Sequence, residues 1–222
     1  MDLFPLYNSL RIALFSSVLV FFSGIFVAWH ISRMPKILKG IFDVILTLPM
    51  VLPPTVIGYF LLLIFSTKRP FGAFLQDYGI KFVMTWYGGI ISAFVVSFPL
   101  MYRTSRGAFE SFDVTLREAG RTLGLKKSFI FWHIELASVK DGILAGIVLS
   151  FARALGEYGA TSMLVGYTPR HTATISTTVY QLWRIGNDEL AYKWVFVNVA
   201  ISVVVLFAVN LLESRKKKEG RK

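Results

Sequence analysis

Apolar residues in this chain fall into long blocks instead of the short rhythm of a soluble core. Five blocks stand out, at residues 12–31, 41–65, 86–102, 139–165 and 194–212, separated by segments of charges, glycines and hydroxyls. A helix needs about 20 apolar residues to cross about 30 Å of hydrocarbon, so each block predicts a transmembrane helix. The first block lacks an A-x-A cleavage pattern and is followed by Arg33, Lys36 and Lys39, which predicts a retained helix and not a cleaved leader. The second contains Pro49, Pro53 and Pro54, so it must bend or break near Leu52. Such a break either lines a pathway or is a packing kink, since in lipid the freed carbonyls need protein or a wet cavity. The third opens on Trp86 and Tyr87, carries Pro99 near its end and is closed by Arg103 and Arg106. The fourth is rich in small residues, and Gly142 and Gly146 form a G-x-x-x-G pair suited to close helix packing.

Between the blocks, residues 66–85 read as a loop with a short surface helix at 71–78. Residues 167–193 are polar, and their apolar centre at 173–183 is too short to cross, which predicts an external or re-entrant helix. A six-span topology in which that centre crosses is the alternative. The segment from Arg103 to Lys140 is the best patterned: Asp113 can cap a helix over 114–123, Gly124 can stop it, and a second short helix can follow over 128–136. On the first of these, Glu118 and Arg121 are three residues apart and can pair on a solvated face.

Composition places the chain in the membrane: 55% of the 222 residues are hydrophobic and the mean hydropathy is +0.59. The formal charge of +11 therefore records membrane orientation and anionic-lipid contact, not a nucleic-acid partner. Basic residues concentrate on one set of segments (Arg33, Lys36, Lys39, Arg103, Arg106, Arg117, Arg121, Lys126, Lys127, Lys140 and the tail at 213–222). The positive-inside rule makes that side cytoplasmic, with the N-terminus outside and the C-terminus inside. There are no cysteines, which excludes disulfides and thiolate metal sites.

Candidate chemistry is sparse. Arg153 and Glu157, four apart, read as the charges inside a span, where they either form an internal ion pair that fixes packing or act on an anion, Arg153 attracting it and Glu157 preventing tight binding. Thr172, Thr174, Ser176, Thr177 and Thr178 offer hydroxyls for an outer gate, or are an ordinary hydroxyl-rich external helix. No phosphate loop is possible at Gly124–Ser128, because Lys126 stands where the second glycine must be, so the chain is expected not to be an enzyme. His30, His133 and His171 lie on separate segments, not at metal-ligand spacing, and no metal or other cofactor is expected on this chain. A secondary transporter would show an internal repeat and intramembrane carboxylates, and only Glu157 answers.

The run Glu118-Ala119, then Gly124, then Ile134 and Leu136, resembles the EAA loop of bacterial and archaeal ABC importer permeases, E-A-A-x3-G-x9-I-x-L-P. Gly120 stands for the second alanine and Ala137 for the proline. The stretches LPMVLPPTVIGYFLLL, VVSFPLMYRTSRGAFESFD and GILAGIVLSFARALGEYGAT are similar to the molybdate-type permeases, and the likeness spans about residues 9–212. It implies a single all-α integral membrane domain with the type I ABC importer permease fold, about five transmembrane helices and a cytoplasmic coupling loop at about 110–137. The implied site is Glu118, Ala119, Gly120, Gly124, Ile134 and Leu136, docking on a cytoplasmic ABC ATPase that uses the ATP. The other implied partners are an external oxyanion-binding protein, a second copy of the chain and membrane lipid. The implied function is import of molybdate, or tungstate, across the prokaryotic cell membrane by alternating access, with sulfate, thiosulfate or another anion as alternative cargo.

Overall fold

The computed structural model describes residues 2–219, with side-chain surroundings for 2–207. The expected basic tail at 213–222 lies outside the residues whose side chains are described. Among the described residues every regular element is helical.

Helix α1 (Phe4–Ser32) shows why the bilayer is the solvent. Its buried face is small or polar, with Asn8, Ser9, Ala13, Ser16, Gly24 and Ala28, while Leu14, Val18, Phe22 and Phe26 face outward. Lipid solvates the large apolar side chains, and small residues let the neighbouring helix approach. That neighbour is α5 (Trp86–Glu110). A Cβ on Gly24 would lie 2.6 Å from Met101, and one on Gly89 would lie 2.6 Å from Ile12, so the two helices run parallel in close register. On the other side of α5 lies α8 (Leu136–Leu155), antiparallel to it: Ser150 donates to the Ser97 carbonyl at 3.3 Å, and a Cβ on Gly142 would lie 2.5 Å from Ala108. The expected G-x-x-x-G face is thus the α5–α8 contact.

The proline-rich block breaks as expected. Helix α2 (Lys36–Val51) ends at Leu52, Pro54 opens α3 (Pro54–Phe65), and the two are bent by 109°. The expected surface helix is α4 (Pro70–Asp77). The last helices are α10 (Ile175–Arg184), ten residues and too short to cross, and α11 (Asp188–Glu219).

Three expectations are corrected. Helix α5 does not end near Tyr102 but continues to Glu110, so Pro99 is internal and Arg103 and Arg106 lie on the helix. Arg106 pairs with Asp43 of α2 at 2.9 Å, which gives this extension a counter-charge and adds Asp43 to the charges within an apolar block. The fourth block is not one helix: α8 stops at Leu155, and α9 (Gly159–Leu164) restarts after a three-residue break. Gly156 and Gly159 weaken the helix there. The second loop helix does not end near Leu136. Helix α7 (Lys127–Phe129) opens into a widened π turn (Ile130–Glu135) that runs on into α8, because nothing between Ser128 and Ala137 breaks the ladder. Among the described residues, α1, residues 188–207 of α11 and the bent α2–α3 pair are long and apolar enough to cross by length and composition alone. Helices α5 and α8 are less apolar, α5 carrying Arg103 and Arg106 and α8 carrying Lys140, Asp141 and Arg153.

Candidate functional site

Helix α6 (Val114–Thr122) projects at one end of the bundle. Asp113 starts it, accepting from the Thr115 amide at 2.9 Å, and these bonds hold the Asp113 carboxyl below its ordinary value. Gly124 ends it in the left-handed region at φ 71°, where a side chain is strained. Its outer face exposes Leu116, Glu118, Ala119 and Leu123, and Glu118 pairs with Arg121 at 3.0 Å in solvent. Its inner face is Gly120, where a Cβ would meet Ile130 and Ile134 at 3.2 Å. Glu118, Ala119, Gly120, Gly124 and Ile134 therefore do come together, with Leu136, half-buried, at the start of α8.

Sequence reasoning missed the residue that fixes this unit. Glu135 is 3% exposed and lies between α1, α6 and α8. It accepts from Trp29 Nε1 at 2.8 Å and forms ion pairs with Arg33 and, at 3.0 Å, with Arg117 of α6. Arg33 also stacks over Trp29, its guanidinium 3.8 Å from the ring centre. Burial lowers the Arg33 guanidinium from its ordinary value; Glu135 raises it again, while Arg117 and Arg121 lower it. A carboxylate with two hydrogen-bond donors and two cationic neighbours can be buried where a lone one could not. The available signal was an acidic residue between Ile134 and Leu136 at the head of an apolar run, with two arginines within reach only after folding.

Arg153 and Glu157 do meet, at 2.6 Å, with Glu157 nearly sealed and Arg153 partly open. Glu157 lies in the α8–α9 break and not on a continuous helix, and its Oε1 accepts from the Ala160 amide at 2.7 Å. The break abuts the other one: a Cβ on Gly159 would lie 2.7 Å from Pro54, and one on Gly58 would lie 2.7 Å from the Ala160 backbone. Pro53 and Pro54 thus stand against the second interrupted helix, while Pro49 is inside α2.

The hydroxyl cluster sits at the end of the bundle near the N-terminus of α1, where Asn8 donates to the carbonyls of Thr172 and Ala173. Thr174 and Thr177 form the reciprocal cap of α10, and Thr172 accepts from the Thr168 amide. Thr178 is buried. Ser176 faces a cavity of about 420 Å³ between α10 and α11, together with Tyr158, Tyr180 and Asn198. The cluster and the α6 unit are separate sites.

The family model described as binding-protein-dependent transport system inner membrane component matches residues 21–218. The chain is 39% identical over 212 residues to the molybdenum transport system permease protein ModB of Escherichia coli K12, covering 93% of each. It is 30% identical to the sulfate transport system permease protein CysT of Salmonella typhimurium, covering 86% of this chain and 69% of that one. Among solved structures, a bacterial ABC transporter involved in import of the acidic polysaccharide alginate superposes with a TM-score of 0.79 at 18% identity, covering 96% of this chain and 79% of that one.

Proposed function

We propose that this chain, which belongs to the binding-protein-dependent transport system inner membrane components, is the permease subunit of an ABC importer that carries molybdate. It is a multi-pass transport component and not an enzyme; ATP hydrolysis belongs to a separate subunit. Its partners are of the kind the family uses, an ABC ATPase and a binding protein.

The observation that carries the reading is α6, whose outer face offers Leu116, Glu118 and Leu123 while its inner face is bound to the bundle through Arg117 and Glu135. An exposed apolar-and-acidic helix face is a docking surface, and a buried ionic link behind it carries displacement inward. In this scheme the ATPase closes on ATP and moves α6. The Arg117–Glu135–Arg33 link passes the motion to α1 and α8, and the helices rock so that the site opens to the other side. Two copies of the chain form the pathway. The α6 end is cytoplasmic, a reading supported by the basic residues there, Arg33, Lys39, Arg106, Arg117, Arg121, Lys126 and Lys127. The N-terminus is then outside and the C-terminus inside. The abutting helix breaks at Leu52–Pro54 and 156–158 mark the pathway, because interrupted helices are tolerated where they line a cavity. Arg153 supplies a cation there, and Thr174, Ser176, Thr177 and Thr178 lie on the outer side.

Sulfate is the second reading, favoured by the likeness to the sulfate permease. The test is uptake into ATP-loaded vesicles containing the chain, its ATPase and its binding protein, with molybdate, tungstate and sulfate in competition. Saturable molybdate uptake blocked by tungstate and not by excess sulfate is expected. Sulfate uptake in its place overturns the cargo and leaves the permease reading intact.

A further inference from the structure

We propose that the cavity between the end of α1, α6 and the α7–π segment is a binding site for an anionic phospholipid headgroup. The cavity holds about 370 Å³, within the range of built ligand sites, and lies beside the Glu135 link without being part of the α6 docking face. Its walls are Phe26, Trp29, Ile130, Phe131 and Trp132, and four cationic side chains, Arg33, Arg117, Arg121 and Lys127, line it against one carboxylate, Glu135. Glu135 is already shared between Arg33 and Arg117, and Arg121 pairs with Glu118, so the positive excess remains at Lys127. Lys127 has no acidic partner among the described residues.

Lipid is favoured over a soluble phosphate by what leads into the cavity. Val18, Phe22 and Phe26 recur every four residues on the outer face of α1 and are 46%, 65% and 64% exposed, forming an apolar track from mid-helix to the cavity mouth. Trp132, 61% exposed, also lines the cavity. An acyl chain along this track, with its phosphate at Lys127, satisfies both surfaces at once. Exposed tryptophan at the cavity and basic residues just beyond a helix end are the placement expected of an interfacial headgroup site.

The experiment titrates the full-length chain, purified in neutral detergent, with phosphatidylglycerol or phosphatidylcholine carrying brominated acyl chains, and reads quenching of tryptophan fluorescence and retention of lipid in native mass spectrometry. Phosphatidylglycerol is expected to bind more tightly than phosphatidylcholine. Lys127→Gln should weaken it about fivefold, the equivalent of about 1 kcal/mol per basic residue at a membrane surface. Lys127→Arg should restore binding, and Lys68→Gln, in the loop at the other end of the bundle, should leave it unchanged. Lys127 is exposed, so its variants keep the fold. Equal binding of the two lipids, or phosphatidylglycerol binding unchanged in Lys127→Gln, overturns the proposal. Displacement of the lipid by equimolar glycerol phosphate also overturns it, in favour of a soluble phosphate ester.

Discussion

Glu118 and Glu135 are seventeen residues apart in one loop pattern, yet their surroundings assign them opposite work. Glu118 is exposed, and its pair with Arg121 at 3.0 Å contributes little to stability because water screens it. Glu118→Lys is therefore expected to leave the melting temperature of the purified chain unchanged while abolishing ATP-driven uptake, since charge repulsion acts only at the dock. Uptake at the wild-type rate would remove Glu118 from the coupling site. Glu135→Gln keeps the shape and the Trp29 bond but leaves Arg33 and Arg117 without a counter-charge. Removing one member of a buried ionic set costs on the order of 3 kcal/mol, and the partial exposure of both arginines brings this toward the lower side. A clear drop in melting temperature and fewer molybdate ions imported per ATP are expected together. A variant that melts like the wild type would show that the link is not holding α6. From the sequence, Glu118 was legible because its spacing to Gly124 and Ile134 is a linear pattern. Glu135 was not, because its partners at positions 29, 33 and 117 come from two segments distant from it in sequence.

At the scale of elements, breaks in the helices matter more than the helices themselves. The prolines announced the α2–α3 bend because a missing donor and a ring clash are local effects. The α8–α9 break was not legible, since Gly156 and Gly159 are tolerated in many membrane helices and the close approach of Gly159 to Pro54 exists only in the folded chain. Gly58→Ala tests that contact. Its Cβ would sit 2.7 Å from Ala160 Cα and 2.8 Å from its carbonyl oxygen, and backbone cannot rotate away, so a loss of about 1–3 kcal/mol is expected. Gly40→Ala, with nothing within 4 Å, is the control and should be neutral or stabilising. The start of α6 is testable by pH. The Asp113 carboxyl is held below its ordinary 3.8 by its bonds to Thr115, so its support for the helix is fully present above pH 3.8 and is lost as pH falls through the lowered value. Amide exchange in residues 114–118 is expected to be slower in the wild type than in Asp113→Ala at neutral pH, with the difference vanishing in acid. A difference that persists there would show that the carboxylate is not the cap.

Over the whole molecule, the described surface is dominated by apolar side chains that face no protein. Helix α2 has no buried residue at all. Lipid and a second copy of the chain share the covering of that surface in the proposed transporter. Because the chain has no cysteine, single cysteines can be introduced without background. The detergent-corrected mass of the complex with its ATPase is expected to correspond to two copies of each, and one copy of this chain per complex would sink the homodimer. Apolar block lengths determined that the chain lives in a bilayer, because the hydrophobic thickness of lipid is read directly as a run of residues, and the placement of Lys and Arg determined which end is basic. The Asp113 cap and the Gly124 stop determined where the helix proposed for coupling begins and ends. Only the tertiary structure decided that Asp43 meets Arg106, that two helix breaks lean on each other and that Glu135 joins three helices. Each of these is a contact between distant segments, whose formation depends on how helices pack and not on the order of residues along any one of them.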